Sequence, residues 1–289
     1  MSSSEQATSR RAALKLLAGG ALSAGIGPMA LAAPGLNLTD PADFLTAIAK
    51  MRGSTDDRLV IGWLIGRRYL VMNSITTPVM GILAGTFSRF RRLNDQVFAG
   101  RTFEVAYFTD LETGRLLENW TNPLTGVTVK VPQTRMGPSS VRLTAKGLKV
   151  IRPAGEPDTM AVHHSFLPAV THGDDVWISE DIRVSGTPPF PGAKPFAYNE
   201  MTTYRAKRAD LDNPGLAAVS TQVDFHSLVS FRPWMGFGDT VGHTTARGSG
   251  GRVARMNDLP PYYLELTEQY HPDVFKDPLA VLDSASKVE

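Results

Sequence analysis

Runs of strict apolar–polar alternation, one after another and separated by turn signals, most limit the folds open to this chain. In Asp175–Val184 the side chains of Val176, Ile178, Ile182 and Val184 share a face, and in Thr102–Thr109 those of Phe103, Val105 and Tyr107 do. That period of two belongs to strands, not helices. Leu59–Met72, Ala197–Lys207 and Ala217–Ser230 read the same way, and Arg115–Trp120 runs into the turn signal Asn122-Pro123-Leu124-Thr125-Gly126. Val127, Val129 and Val131 then alternate with Thr128 and Lys130, as the return strand of a meander. His172-Gly173-Asp174-Asp175 reads as a polar turn, Gly186 to Pro195 as a Pro/Gly loop, and Gly248-Ser249-Gly250-Gly251 as a loose loop. A helix is expected after Asp40, with Pro41 at its first position, Phe44, Leu45, Ile48 and Met51 on one face and Gly53 as its stop. A second runs from Pro261 to about Tyr270. Eight or more strands without strand–helix alternation or repeats argue for a mainly β fold. The expected architecture is a single antiparallel β-barrel or strongly curved sheet, calycin/lipocalin-like, with short N- and C-terminal helices.

Residues 1–33 read as a twin-arginine signal peptide. Ser9-Arg10-Arg11-Ala12-Ala13-Leu14-Lys15 sets the arginine pair before an apolar Gly/Ala-rich run, and Ala30-Leu31-Ala32 offers a cleavage site. The run is short and glycine-rich for a membrane span, so residues 34–289 are expected to form one β-rich domain, periplasmic and off the membrane after cleavage, with the twin-arginine translocase as partner during export. The chain has 30 basic and 28 acidic residues, and Arg10, Arg11, Lys15 and Glu5 all lie in the leader. The rest is balanced in charge and has no footprint for nucleic acid. With no cysteine there are no disulfides, thiolate metal sites or cysteine nucleophiles.

Three segments carry a family likeness: Trp120-Thr121-Asn122-Pro123-Leu124-Thr125-Gly126 with its valine strand, Asn199-Glu200-Met201-Thr202-Thr203-Tyr204, and Phe231-Arg232-Pro233-Trp234-Met235-Gly236-Phe237-Gly238-Asp239. With the leader, they resemble the exported bacterial and fungal family catalogued as domain of unknown function 1838. The resemblance covers most of the chain after the leader and implies one domain; it carries no assigned activity or site residues.

The candidate chemistry comes from the residues. Tyr198, Glu200, Thr202 and Tyr204 share one strand face, so a barrel interior would receive a carboxylate flanked by two phenols, with Glu200 as acid/base and the tyrosines as polarising donors. Asp224 and His226 share a face opposite Val223, Phe225 and Ser227, and this pair, or His226 with Asp239, would be a second proton carrier. Glu180 lies on the apolar stripe of its strand and needs a partner that Arg183 cannot supply, which makes it a second interior acid. The loop from Arg232 to Asp239 suits a pocket wall or a barrel end-plug. On the pocket reading Trp120, Asn122, Trp234, Phe237, Glu180 and His243 bind substrate. His163 and His164 point to opposite faces of a strand and cannot chelate one ion, and no metal or cofactor motif occurs.

These readings point to an exported, cofactor-independent enzyme of lyase or isomerase type, moving protons on a small apolar or aromatic ligand. The alternative is a lipocalin-like carrier. At least two titratable groups converging in one apolar cavity would favour the enzyme.

Overall fold

The computed structural model describes residues 35–152, 160–187 and 194–285; the leader, with Arg10 and Arg11, lies outside them. Among the described residues the strands are β1 (Val60–Met72), β2 (Ile75–Asn94), β3 (Val97–Thr109), β4 (Asn119–Thr121), β5 (Thr128–Lys130), β6 (Thr134–Thr144), β7 (Gly147–Ile151), β8 (Met160–Phe166), β9 (Val170–His172), β10 (Asp175–Gly186), β11 (Phe196–Lys207), β12 (Gln222–Ser230) and β13 (His243–Val253). The helices are α1 (Pro41–Arg52), α2 (Arg208–Asp212), α3 (Pro261–Tyr270), α4 (Pro272–Lys276) and α5 (Pro278–Asp283). None is long and apolar enough to cross a membrane.

The main sheet has the order β7-β6-β3-β2-β1-β13-β12-β11-β10-β8, with β9 beside β10, and every pairing is antiparallel. It is thus two five-stranded meanders joined by the pairing of β1 with β13. The curved sheet brings its two ends, β7 and β8, together without a backbone ladder. The Leu148 N–H donates across the seam to His164 Nδ1 at 2.9 Å. Gly147 permits this approach, since a Cβ there would stand 2.4 Å from the His164 carbonyl oxygen. The result is a nearly closed antiparallel barrel, as the alternation led us to expect.

Both ends of the barrel are filled. Asp40 caps α1 by accepting from the Ala42 and Asp43 N–H groups. The apolar face of α1 (Phe44, Leu45, Ile48, Met51) packs among Phe90, Phe98, Val141, Leu143, Val176 and Ile178, which come from both meanders. The carbonyls at its C-terminal end are bound by Arg252, whose Nη1 donates to Lys50 O (2.8 Å) and Gly53 O (3.0 Å). At the other end the β4–β5 ribbon and residues 231–237 pack Trp120, Met235 and Phe237 onto Leu70, Ile82, Ala106, Phe108 and Ala246. Helices α3–α5 cover the outer face of β2 and β3, where Phe87, Val105 and Tyr107 meet Tyr263, Leu266 and Leu282.

Three expectations about elements need correction. Gly248-Ser249-Gly250-Gly251 is not a loop but the middle of β13, paired with β1. The strand expected over Arg115–Trp120 is confined to Asn119–Thr121, and that expected from Ala217 begins at Gln222. The longest strand, β2, escapes the alternation pattern because Pro78, Gly81 and Gly85 interrupt it.

Candidate functional site

Between the two plugs lies a cavity of about 460 Å³, within the range of small-molecule sites. The polar line of β11 faces it: Tyr198, Glu200, Thr202 and Tyr204 all contribute to its wall. The carboxylate of Glu200 takes two hydroxyl donors, Tyr198 Oη on Oε2 and Thr202 Oγ1 on Oε1 at 3.0 Å. Burial raises the Glu200 pKa and outweighs these bonds, which favour the charged form. Tyr198 is pushed well above its usual range by burial and by the Glu200 charge.

Glu180 stands behind this line, next to Thr202 in register, and is 1% exposed. The partner it requires comes from α1: Arg52 Nη1 donates to Glu180 Oε2 and also reaches Tyr204 Oη at 3.3 Å. His164 Nε2 lies 2.9 Å from Glu180 Oε1. Because His164 Nδ1 accepts the Leu148 N–H, its proton sits on Nε2 and is donated to Glu180. Burial alone would raise the Glu180 pKa, but the Arg52 charge and the His164 bond reverse it and hold it at about 2. Glu180 is a locked anion that ties α1, the seam and β10 together. His163, its neighbour, is exposed on the outer face.

The sequence pattern did not reveal the opposite wall. Glu104 of β3 faces the cavity, with its pKa pushed up to about 7 by burial and then by the Glu200 charge, against the pull of Arg232. Arg52, Arg68, Arg232 and Arg252 also line the cavity. The signal for Glu104 is the alternation of β3, which runs opposite to the simple apolar-in rule. The apolar face (Val105, Tyr107) lies outside under α3 and α4, so the polar face (Thr102, Glu104) turns inward. The remaining lining is largely apolar, including Trp63, Leu64, Ile82, Phe108, Phe225 and Trp234. Two further lining residues, Met136 and Val150, are 50% and 42% exposed and mark the mouth beside the β7–β8 seam.

The other expected site residues divide. Trp234 lines the cavity. Trp120, Asn122 and Phe237 form the end-plug instead: Trp120 packs on Phe237 with centroids 6.0 Å apart, Phe237 stacks on Phe231 at 3.6 Å, and Asn122 Nδ2 donates to Met235 O at 2.9 Å. Asp224 and His226 are not brought to the cavity. Val223 and Phe225 line it, so the alternate positions point to solvent, where Asp224 accepts from Ser249 Oγ and His226 pairs with Thr245 Oγ1. Asp239 is fully exposed and pairs with Lys194 at 2.5 Å. His243, opposite Val71 and Ser230, is outside the cavity lining. Among the described residues no three His, Asp or Glu side chains converge as a metal site.

Fold and site together define a nearly closed antiparallel barrel around a largely apolar cavity that carries charged side chains. The sequence model of the family described as Protein of unknown function (DUF1838) matches residues 66–287, and the chain belongs to that family. No curated protein matches the chain.

Proposed function

We propose that the barrel is an exported acid/base enzyme of lyase or isomerase type, moving a proton on a small, largely apolar or aromatic molecule held between Glu104 and Glu200. The observation that carries this reading is the convergence of those two carboxyl groups, both with raised proton affinity, in one largely apolar cavity. A group with a pKa of about 7 exists in both forms at neutral pH and can take or return a proton with little penalty. Glu104 has that property. Glu200, oriented by Tyr198 and Thr202, is the partner that supplies or receives the second proton. Tyr204 serves the Arg52–Glu180 pair instead of the substrate.

Deuterium exchange tests the proposal across a panel of candidate substrates. Small aromatic and unsaturated acids, ketones and amides are incubated with the protein in D2O, and C–H to C–D exchange is followed by NMR. Glu104→Gln and Glu200→Gln are each expected to slow exchange about 10²-fold or more, with the folded circular dichroism spectrum retained. Exchange at the wild-type rate in both variants removes the assignment. A ligand that binds tightly with no exchange or turnover leaves the carrier reading in its place.

A further inference from the structure

Four arginines line the cavity, and two of them are accounted for. Arg52 is paired with Glu180, and Arg252 binds carbonyls at the end of α1. The other two are not. Arg68 of β1 is 5% exposed; its Nη1 donates to Thr244 Oγ1 at 2.9 Å, its guanidinium lies 5.7 Å from the Phe108 ring centroid, and its buried Nε has no hydrogen-bond partner. Arg232, which follows β12 and precedes the Pro233–Met235 turn, also has a buried Nε without a partner. Among the described residues no ion pair includes either one. The charge of Arg232 adds to burial in lowering the proton affinity of Arg68, so the two positive charges share one end of the cavity. Glu104 is near Arg232 but balances its charge only in part near pH 7, where it is itself half protonated.

A buried guanidinium without an anion is costly, and two together more so. Planar guanidinium groups match carboxylates through paired N–H donors. We propose that the substrate carries a carboxylate held between Arg68 and Arg232, with its apolar body against Leu64, Ile82, Phe225 and Trp234. This rests on reading the cavity as the active site, and it names the substrate class of that site: a small carboxylic acid. The anchor is beside Glu104 and Tyr198, which both lie within electrostatic reach of Arg232, so the bound molecule reaches the acid/base pair.

Binding of matched acid and amide pairs tests the clamp: benzoate with benzamide, phenylacetate with phenylacetamide, and hexanoate with hexanamide, each followed by calorimetry and thermal shift. At least one acid is expected to bind tenfold or more tighter than its amide. Arg68→Met and Arg232→Met should each abolish that preference. Arg68→Met should also raise the Tm of the unliganded protein, because it removes an unpaired buried charge; a lower Tm would make Arg68 a structural support and overturn its place in the clamp. Equal binding of acid and amide in all three pairs, or a preference that survives in both Met variants, overturns the proposal. So does tighter binding of inorganic phosphate or phenyl phosphate than of every carboxylate. Glu104→Gln should keep the acid preference. A preserved preference with no deuterium exchange in the wild type would therefore sink the enzyme reading alone and leave the anion site standing.

Discussion

Burial raises the proton affinity of any interior carboxyl group, and what separates Glu104 from Glu180 is how closely a cation approaches. Glu180 bonds Arg52 directly and is held at about 2; Glu104 feels Arg232 only at a distance, with Glu200 opposing, and rises to about 7. Their effects on stability have opposite signs. The native state holds the Glu104 proton between pH 4.5, the usual glutamate value, and about 7, where the unfolded chain has lost it. Stability from this group is therefore full below pH 4.5 and falls as pH rises through 7. Glu104→Gln should remove that decline, gaining on the order of 3 kcal/mol over wild type at pH 8 relative to pH 4 in urea unfolding. A parallel pH profile in the variant would show that Glu104 does not titrate as described. Glu180 contributes above pH 4.5 and its contribution is lost as pH falls toward 2. Glu180→Gln strands Arg52 and should cost about 3–5 kcal/mol at pH 7, read by the same unfolding curves. The β11 line and the need of Glu180 for a partner were legible from a period of two. The identity of that partner was not, because Arg52 comes from a helix 128 residues away.

At the scale of elements, the glycines of β13 explain both a misreading and a constraint. A Gly-Ser-Gly-Gly run has no side-chain pattern and reads as a loop. In the barrel those glycines let β13 lie close against β1: a Cβ on Gly250 would stand 1.8 Å from the Trp63 carbonyl oxygen, and one on Gly248 2.4 Å from that of Ile65. The obstructing atoms are backbone, so no rotamer relieves the clash. Gly250→Ala is expected to destabilise the fold by about 3 kcal/mol or more, while Ser249→Ala, on an exposed position beside it, stays within about 0.5 kcal/mol. Thermal unfolding of the two variants checks this, and equal Tm values would refute the close-approach argument. The inversion of β3 has a related cause. Alternation tells which residues share a face but not whether that face meets the cavity or an outer layer, and only the packing of α3–α5 decides it.

For the molecule as a whole, the barrel is closed unequally. On one side β1 and β13 share a continuous ladder from Ile61–Val253 to Val71–His243; on the other, β7 and β8 meet through the His164 imidazole. That ring also fixes Glu180, which fixes Arg52 at the end of α1, so the seam, the wall behind the site and the α1 end of the barrel share one hydrogen-bonded group. Exposed Met136 and Val150 place the mouth of the cavity beside this seam, where the described residues form no backbone ladder and opening costs least. His164→Phe keeps the bulk of the ring against Phe166 while removing both of its hydrogen bonds. It should raise hydrogen exchange at the Leu148 amide and along β7 and β8 at pH 7, with the β1–β13 amides protected as in the wild type. If protection falls equally around the barrel, the seam is no weaker than the rest and the barrel unfolds as one unit. If it falls only at the seam, the side where the cavity opens to solvent is also the side that opens first, and His164, which cannot share a metal ion with His163, is instead its latch.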